Sequence, residues 1–255
     1  MTDSIQSFSA DQLQFLYAYG CIAANNATTP NTQIDMSMGQ VRDSNDNVDI
    51  VIATLFTIDA TVNGYNGLDT GSLGASLMYD IYAISDSYGH NPSGYIMTLD
   101  SNSVPLLPQG YDSYRKVAYW PTDSSSHFLK GYMTGVSNDR GFTYDAPAAS
   151  VSAGNATSYA SGLISLLNVV PNVNNLPVNL QAAFTPNAAN DTLKMQGGAS
   201  TGDAYTFNGQ VASVALYCDA VILSQTVSSA PKYAYKVSAG TDAVTITVQG
   251  FKFTI

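Results

Sequence analysis

The chain has 255 residues and a mass of 26.9 kDa, and only 11% of its residues are charged, against roughly 25% in an ordinary soluble domain. A formal charge of −10 and a pI near 4.2 exclude the counterion release that drives nucleic-acid binding, and nine Lys and Arg in all are too few for a polybasic membrane patch. All 19 acidic residues are Asp, which favours caps and turns over helices, so 17 Tyr and 20 Gly among many Thr and Val predict an all-β protein.

The first residues, Met1 to Gln6, carry no basic stretch followed by an apolar one, which predicts no secretory signal and synthesis in a host cytoplasm. Ser9 with Gln12 three residues on matches a helix capping box. Leu13, Leu16, Tyr17 and a stop at Gly20 fit one short amphipathic helix after it, while the aromatic density at 15–19 equally suits a strand. Residues 23–32, rich in Asn, Thr and Pro, read as a connector. Residues 1–33 are therefore expected to form an N-terminal arm that uses Phe8, Leu13, Phe15, Leu16 and Tyr17 to dock on a neighbouring subunit.

From residue 34 onward the pattern is short β-rich runs between turn clusters. Runs at 48–58, 77–84, 114–120 and 127–133, then at 178–184, 211–223, 232–237, 243–248 and 251–255, alternate bulky and polar residues with period two. Clusters at 43–47, 63–67, 88–92, 108–110 and 137–141 supply Gly, Asn and Asp for the connecting turns. About ten strands at intervals of roughly 8–14 residues describe a β-sandwich or jelly-roll-like domain over 34–255, with a possible subdivision near Pro171. No window reaches 18 uninterrupted apolar residues, so no membrane insertion is expected.

Residues 63–73 include Asn63 and Gly64, then Asn66-Gly67-Leu68-Asp69-Thr70-Gly71-Ser72-Leu73. Physically this is a structural corner, with Gly64 and Gly67 expected at positive φ and Asp69 expected to bond nearby amides. The N-G-L-D-T-G-S-L core, followed by a Tyr-rich strand at 78–84, resembles a pattern that recurs in tail-fibre and other virion proteins of tailed bacteriophages. The likeness continues through Leu107-Pro108-Gln109-Gly110-Tyr111 and Arg115, similar to an L-P-x-G-Y-x-x-x-R-x-x-G step, and covers about residues 34–171. It departs at Ala118, where glycine is usual, and at Tyr65, which replaces a smaller residue. The resemblance implies a β-rich building block of a virion, tied to no single catalytic activity, with a homotrimer as the analogous assembly.

Chemistry-bearing patterns are sparse. Asp43, Asn45, Asn47 and Asp49 imitate half of a calcium loop, but Val48 stands where glycine is needed and Thr54 where the bidentate acid belongs, so a hairpin turn is preferred and no metal is expected. His90 and His127 have no Cys or His at ligand spacing, there is no nucleophile elbow or P-loop, and residues 197–202 read as a low-complexity loop. Cys21 and Cys218 are too far apart in sequence for a framework and are expected as reduced, largely buried thiols. Glycan cleavage would need two paired carboxylates, and no spacing pairs any two of the Asp residues.

The reading is a non-enzymatic structural protein of a tailed-phage virion, without cofactor, joined to other virion proteins: a capsid decoration, cement or head-fibre protein. The alternative is a tail-fibre or receptor-binding subunit whose loop-tip Tyr, Asn and Asp contact a host glycan. A glycan depolymerase ranks last.

Overall fold

The computed structural model of the chain describes residues 18–102, 104–135, 137–147, 149–198 and 205–255. Every regular element among them is a strand. In chain order these are β1 (Ala18–Gly20), β2 (Ala23–Asn25), β3 (Gln33–Met36), β4 (Gly39–Arg42), β5 (Asp49–Ile52), β6 (Phe56–Asp59), β7 (Met78–Ser85), β8 (Gly94–Leu99), β9 (Ser113–Pro121) and β10 (Gly131–Thr134). There follow β11 (Asp139–Tyr144), β12 (Ala149–Gly154), β13 (Leu163–Ser165), β14 (Leu176–Thr185), β15 (Thr192–Gly197), β16 (Tyr205–Asn208), β17 (Leu216–Val227), β18 (Ala230–Val237) and β19 (Ala243–Thr254). No helix among the described residues is long and apolar enough to cross a membrane.

The strands pair antiparallel in three sheets. Two have three strands, ordered β1-β4-β5 and β8-β7-β9; the largest runs β16-β15-β18-β17-β14-β19-β11-β10-β2-β3-β6, with β12 on β19 and β13 on β18. One hydrophobic core joins all three: Val41 and Ile50, Ile81 and Trp120, Phe142, Phe251 and Ile246 belong to the same buried cluster. The chain is all-β with a sandwich core, as its composition predicts.

Several expectations are corrected. Residues 18–33 are not an arm: β2 pairs with β3 and β10, and Cys21 and Ala23 are fully buried. Asn and Thr residues that read as a connector instead close a tight turn, in which the Asn26 side chain accepts the amides of Thr28 and Thr29 at 2.9 Å. The expected arm residues Phe8, Leu13, Phe15, Leu16 and Tyr17 lie outside the described residues. No subdivision falls near 171, because β11 and β12 both pair with β19 and β13 pairs with β18. The run at 48–58 splits into β5 and β6, which join different sheets, and the run at 127–133 becomes a strand only at β10.

Strand β7 is buried at all eight positions rather than on one face. It lies between β8 and β9. One face meets the main core through Ile81 and Ala83; the other carries Tyr82 and Ile84, over which Tyr65, Leu107, Tyr111 and Tyr114 pack. Long connections bearing aromatics thus roof a face that a period-two pattern assigns to water.

β19 joins two runs into one strand through a bulge. Asn179 pairs with Gly250 but Leu180 with Val248, leaving Gln249 as the extra residue. Burial changes phase there: Val244, Ile246 and Val248 point inward before it, Phe251 and Phe253 after it. A Cβ on Gly250 would run into the Phe142 carbonyl, so glycine lets β11 approach.

Candidate binding groove on the outer sheet face

The corner at 63–73 borders a sheet. Residues 66–69 run along the free edge of β8: Asn66 N donates to Tyr95 O at 2.8 Å, Tyr95 N to the Asn66 side-chain oxygen at 2.9 Å, Met97 N to Gly67 O at 2.9 Å and Asp69 N to Met97 O at 2.7 Å. An edge so covered offers no template for stray pairing. Gly64 has φ +97 as expected. Gly67 does not have positive φ; its lack of a Cβ matters because one would collide with the Val62 carbonyl. The left-handed residue beside it is Asn66, φ 56. Asp69 reaches a distant partner, accepting from Leu106 N at 3.2 Å, rather than its own turn. Asn63 stays exposed at the outer end, bridging to Leu68.

The calcium-like loop is a hairpin turn. The Asp43 carboxylate accepts from the amides of Asn47 at 2.6 Å and Val48 at 2.8 Å, and Asp49 pairs with Arg42 at 2.7 Å. His90 and His127 each stand 3.6 Å from an Asp four residues earlier, Asp86 and Asp123. Those carboxylates serve their own loops: backbone amides of Tyr88, His90 and Asn91 bind Asp86, and such bonds hold both Asp groups below the usual carboxylate range. Among the described residues no group of three or more His, Cys, Asp or Glu is placed to hold a metal ion. Cys21 is buried and Cys218 half-buried, and both are free thiols.

Tertiary structure brings carboxylates together, Asp191 with Asp242 about Ser238 and Asp80 with Asp100. Asp80, fully buried on β7, meets Lys116 of β9 at 2.5 Å. A bulge makes this possible, since Ile81 pairs with Ala118 but Tyr82 with Lys116. The ammonium lies 4.7 Å from the centre of the Tyr119 ring and 5.7 Å from that of Tyr82. Burial pushes the Asp80 carboxyl up to about 7 despite the attraction of Lys116, with Asp100 nearby adding to the rise. A raised acid beside a second carboxylate suits glycosidase chemistry, but an acid without solvent access reaches no sugar.

Near this cluster, a groove of about 600 Å³ is lined by Tyr119, Arg140, Asn175, Lys252 and Phe253 among others. Its guanidinium is committed: Arg140 donates to the carbonyls of Ser137 at 3.0 Å, Cys21 at 2.7 Å and Gly20 at 2.8 Å. Arg140 is therefore a buried clamp on the β1–β2 segment.

A second groove, about 440 Å³, opens on the outer face where β14, β17 and β19 lie side by side. Alternation along β14 sends Val178, Leu180, Ala182 and Phe184 inward, and Asn179, Gln181 and Ala183 outward. β17 repeats this, with Ala220 and Ile222 inside and Tyr217, Asp219, Val221 and Leu223 outside. On β19, Thr247 and the bulged Gln249 complete the row. Gln181 Nε2 donates to Asp219 at 3.1 Å, Thr247 Oγ1 to Gln181 O at 3.3 Å, and Gln249 Nε2 to Thr247 Oγ1 at 2.9 Å. These contacts hold the polar side chains in fixed orientations before any ligand arrives. Tyr205 of β16 closes one side, its hydroxyl bonded to Val221 O at 3.0 Å, and Tyr217 stands 71% exposed two residues from Asp219. An aromatic face beside amides that both donate and accept can pack against a sugar ring and bond its hydroxyls. None of these residues stood out in the sequence as a site. Their signal was the polar phase of strands otherwise read for their apolar phase.

No family model matches the chain, and no curated protein matches it. Among solved structures it aligns with a carbohydrate-binding module of Cellvibrio mixtus lichenase 5A in complex with cellotriose, at 11% identity and TM-score 0.25, covering 48% of this chain and 86% of that one. It also aligns with infectious bursal disease virus, Gx strain, at 14% identity and TM-score 0.20, covering 93% and 70%. Scores this low assign neither a family nor a function.

Proposed function

We propose that the chain is a non-enzymatic structural protein on the exterior of a tailed-phage virion that binds host-surface glycan along the outer face of β14, β17 and β19. The observation that carries this reading is the set of Asn179, Gln181, Asp219 and Gln249, with Tyr205, around one groove. Gln181, Asp219 and Gln249, already hydrogen-bonded by their side chains, lose little freedom when a ligand arrives. The buried position of Asp80 supports a binding role over a cleaving one. Virion origin rests on the corner motif and the Tyr-rich strand after it.

The test is binding of purified protein to immobilised host-surface polysaccharide, with Gln181→Ala and Gln249→Ala as variants. Saturable binding that falls at least tenfold in both, with unchanged thermal unfolding, is the expected result. Wild-type protein that binds no glycan overturns the glycan reading, and absence of the chain from purified particles overturns the virion reading.

A second reading, decoration or cementing of the capsid through protein contacts, is favoured by one feature. From Leu216 to Ser224, β17 pairs only with β14, and Tyr217, Val221 and Leu223 are exposed along it. Although Tyr205 occupies the Val221 carbonyl, the rest of that edge, beside the exposed Tyr217, is a surface on which a neighbouring subunit can add a strand. Gel filtration coupled to light scattering, with Val221→Lys and Leu223→Lys, tests whether this edge joins a homotrimer.

A further inference from the structure

Resting on the glycan reading, we infer that the β14–β17–β19 groove selects uncharged oligosaccharides and rejects acidic ones, whether the acid is a carboxylate, sulfate or phosphate. Three observations converge. Among the described residues lining the groove there is no Lys, Arg or His, and the single charged group is Asp219. Its carboxylate, exposed on β17, is an acceptor only, so it takes hydroxyl protons and repels a second anion. The amides of Asn179, Gln181 and Gln249 are neutral and bifunctional, matching hydroxyls that also both donate and accept.

Four of the chain's nine cations are engaged elsewhere. Arg42 is paired with Asp49 and Lys116 with Asp80, Arg140 is spent on backbone carbonyls, and Lys252 lines the other groove. A formal charge of −10 over the chain adds a long-range field of the same sign. Two like charges about 4 Å apart in water repel by about 1 kcal/mol, and more where the dielectric is lower. The expected discrimination is therefore about fivefold or greater.

Matched pairs read this directly: a neutral oligosaccharide against its sialylated, sulfated or uronic counterpart, by calorimetry at 20 and 300 mM NaCl. The neutral member should bind at least about fivefold tighter at low salt, with an affinity that salt leaves within twofold. The gap to the acidic member should narrow as salt screens Asp219. Asp219→Asn should shrink the gap while Gln181→Ala weakens both members together. Tighter binding of the acidic member overturns the selection and leaves the glycan reading standing. Binding of neither member overturns both.

Discussion

The ammonium of Lys116 lies 2.5 Å from Oδ2 of Asp80, yet the other oxygen of that carboxylate, Oδ1, is buried without a hydrogen-bond partner. Half of the carboxylate is thus neutralised and half is desolvated at a cost. The balance favours protonation, and burial raises Asp80 from 3.8 to about 7. A carboxyl whose folded pKa is raised binds its proton more tightly folded than unfolded. Its contribution to stability is full below about pH 4 and is lost as pH climbs towards 7. Relative to Asp80→Asn, the wild type should lose stability across that window, read by urea midpoints at half-unit pH steps. A flat difference refutes the assignment.

Lys116→Met leaves the ionised Asp80 without its counter-charge. The expected loss is about 2–3 kcal/mol at pH 8, below the usual figure for a fully buried pair because Lys116 is partly exposed, and less at pH 5 where Asp80 takes up a proton. The double variant Asp80→Asn, Lys116→Met should recover part of the loss. Denaturation of the four proteins at both pH values closes the cycle.

Gly64 and Gly67 should respond to Ala for different reasons. At Gly64, φ +97 with open space around it limits the cost to backbone strain of about 1 kcal/mol. At Gly67 the added Cβ meets the backbone carbonyl of Val62, which must move against its bond to Leu68 N, so about 2–3 kcal/mol is expected. Equal midpoint shifts would contradict this account of the corner.

Arg140→Lys should destabilise by about 2–4 kcal/mol, since one ammonium cannot bridge the carbonyls of Gly20, Cys21 and Ser137 that the guanidinium fork serves. Hydrogen exchange should quicken first in β1 and β2. Uniform quickening over the whole chain would show that the clamp is not local.

A chain beginning at residue 18 keeps every strand described. One beginning at 34 lacks β1, β2 and the buried Cys21 and Ala23, and removes two carbonyls that Arg140 serves. The shorter chain should fail to unfold cooperatively in calorimetry, whereas a detachable arm would leave the transition intact.

Much of the fold was legible because strand alternation is a local property. Met78–Ser85, Ser113–Pro121, Leu176–Thr185 and Ala230–Val237 all fall where period two and β-branched or aromatic residues place them, and the Asn-Gly turns punctuate them. The corner was visible for the same reason, down to the positive φ of Gly64. What exceeded local sequence was partnership. Residues 18–33 look like an arm because their strands are only three or four residues long, and short strands gain stability only from neighbours far along the chain, such as β10 and β6.

Composition and periodicity by themselves determined an acidic, all-β protein with turns at its glycines and asparagines, because such preferences act within a few residues. Tertiary structure alone decided that β7 is covered on both faces, that Asp80 meets Lys116 across a bulge, and that Asn179, Gln181, Asp219 and Gln249 share one groove. Each of these depends on register between strands, with partners as far apart as Val178 and Phe251, and a single bulge, at Gln249 or in β9, changes which side chains share a face.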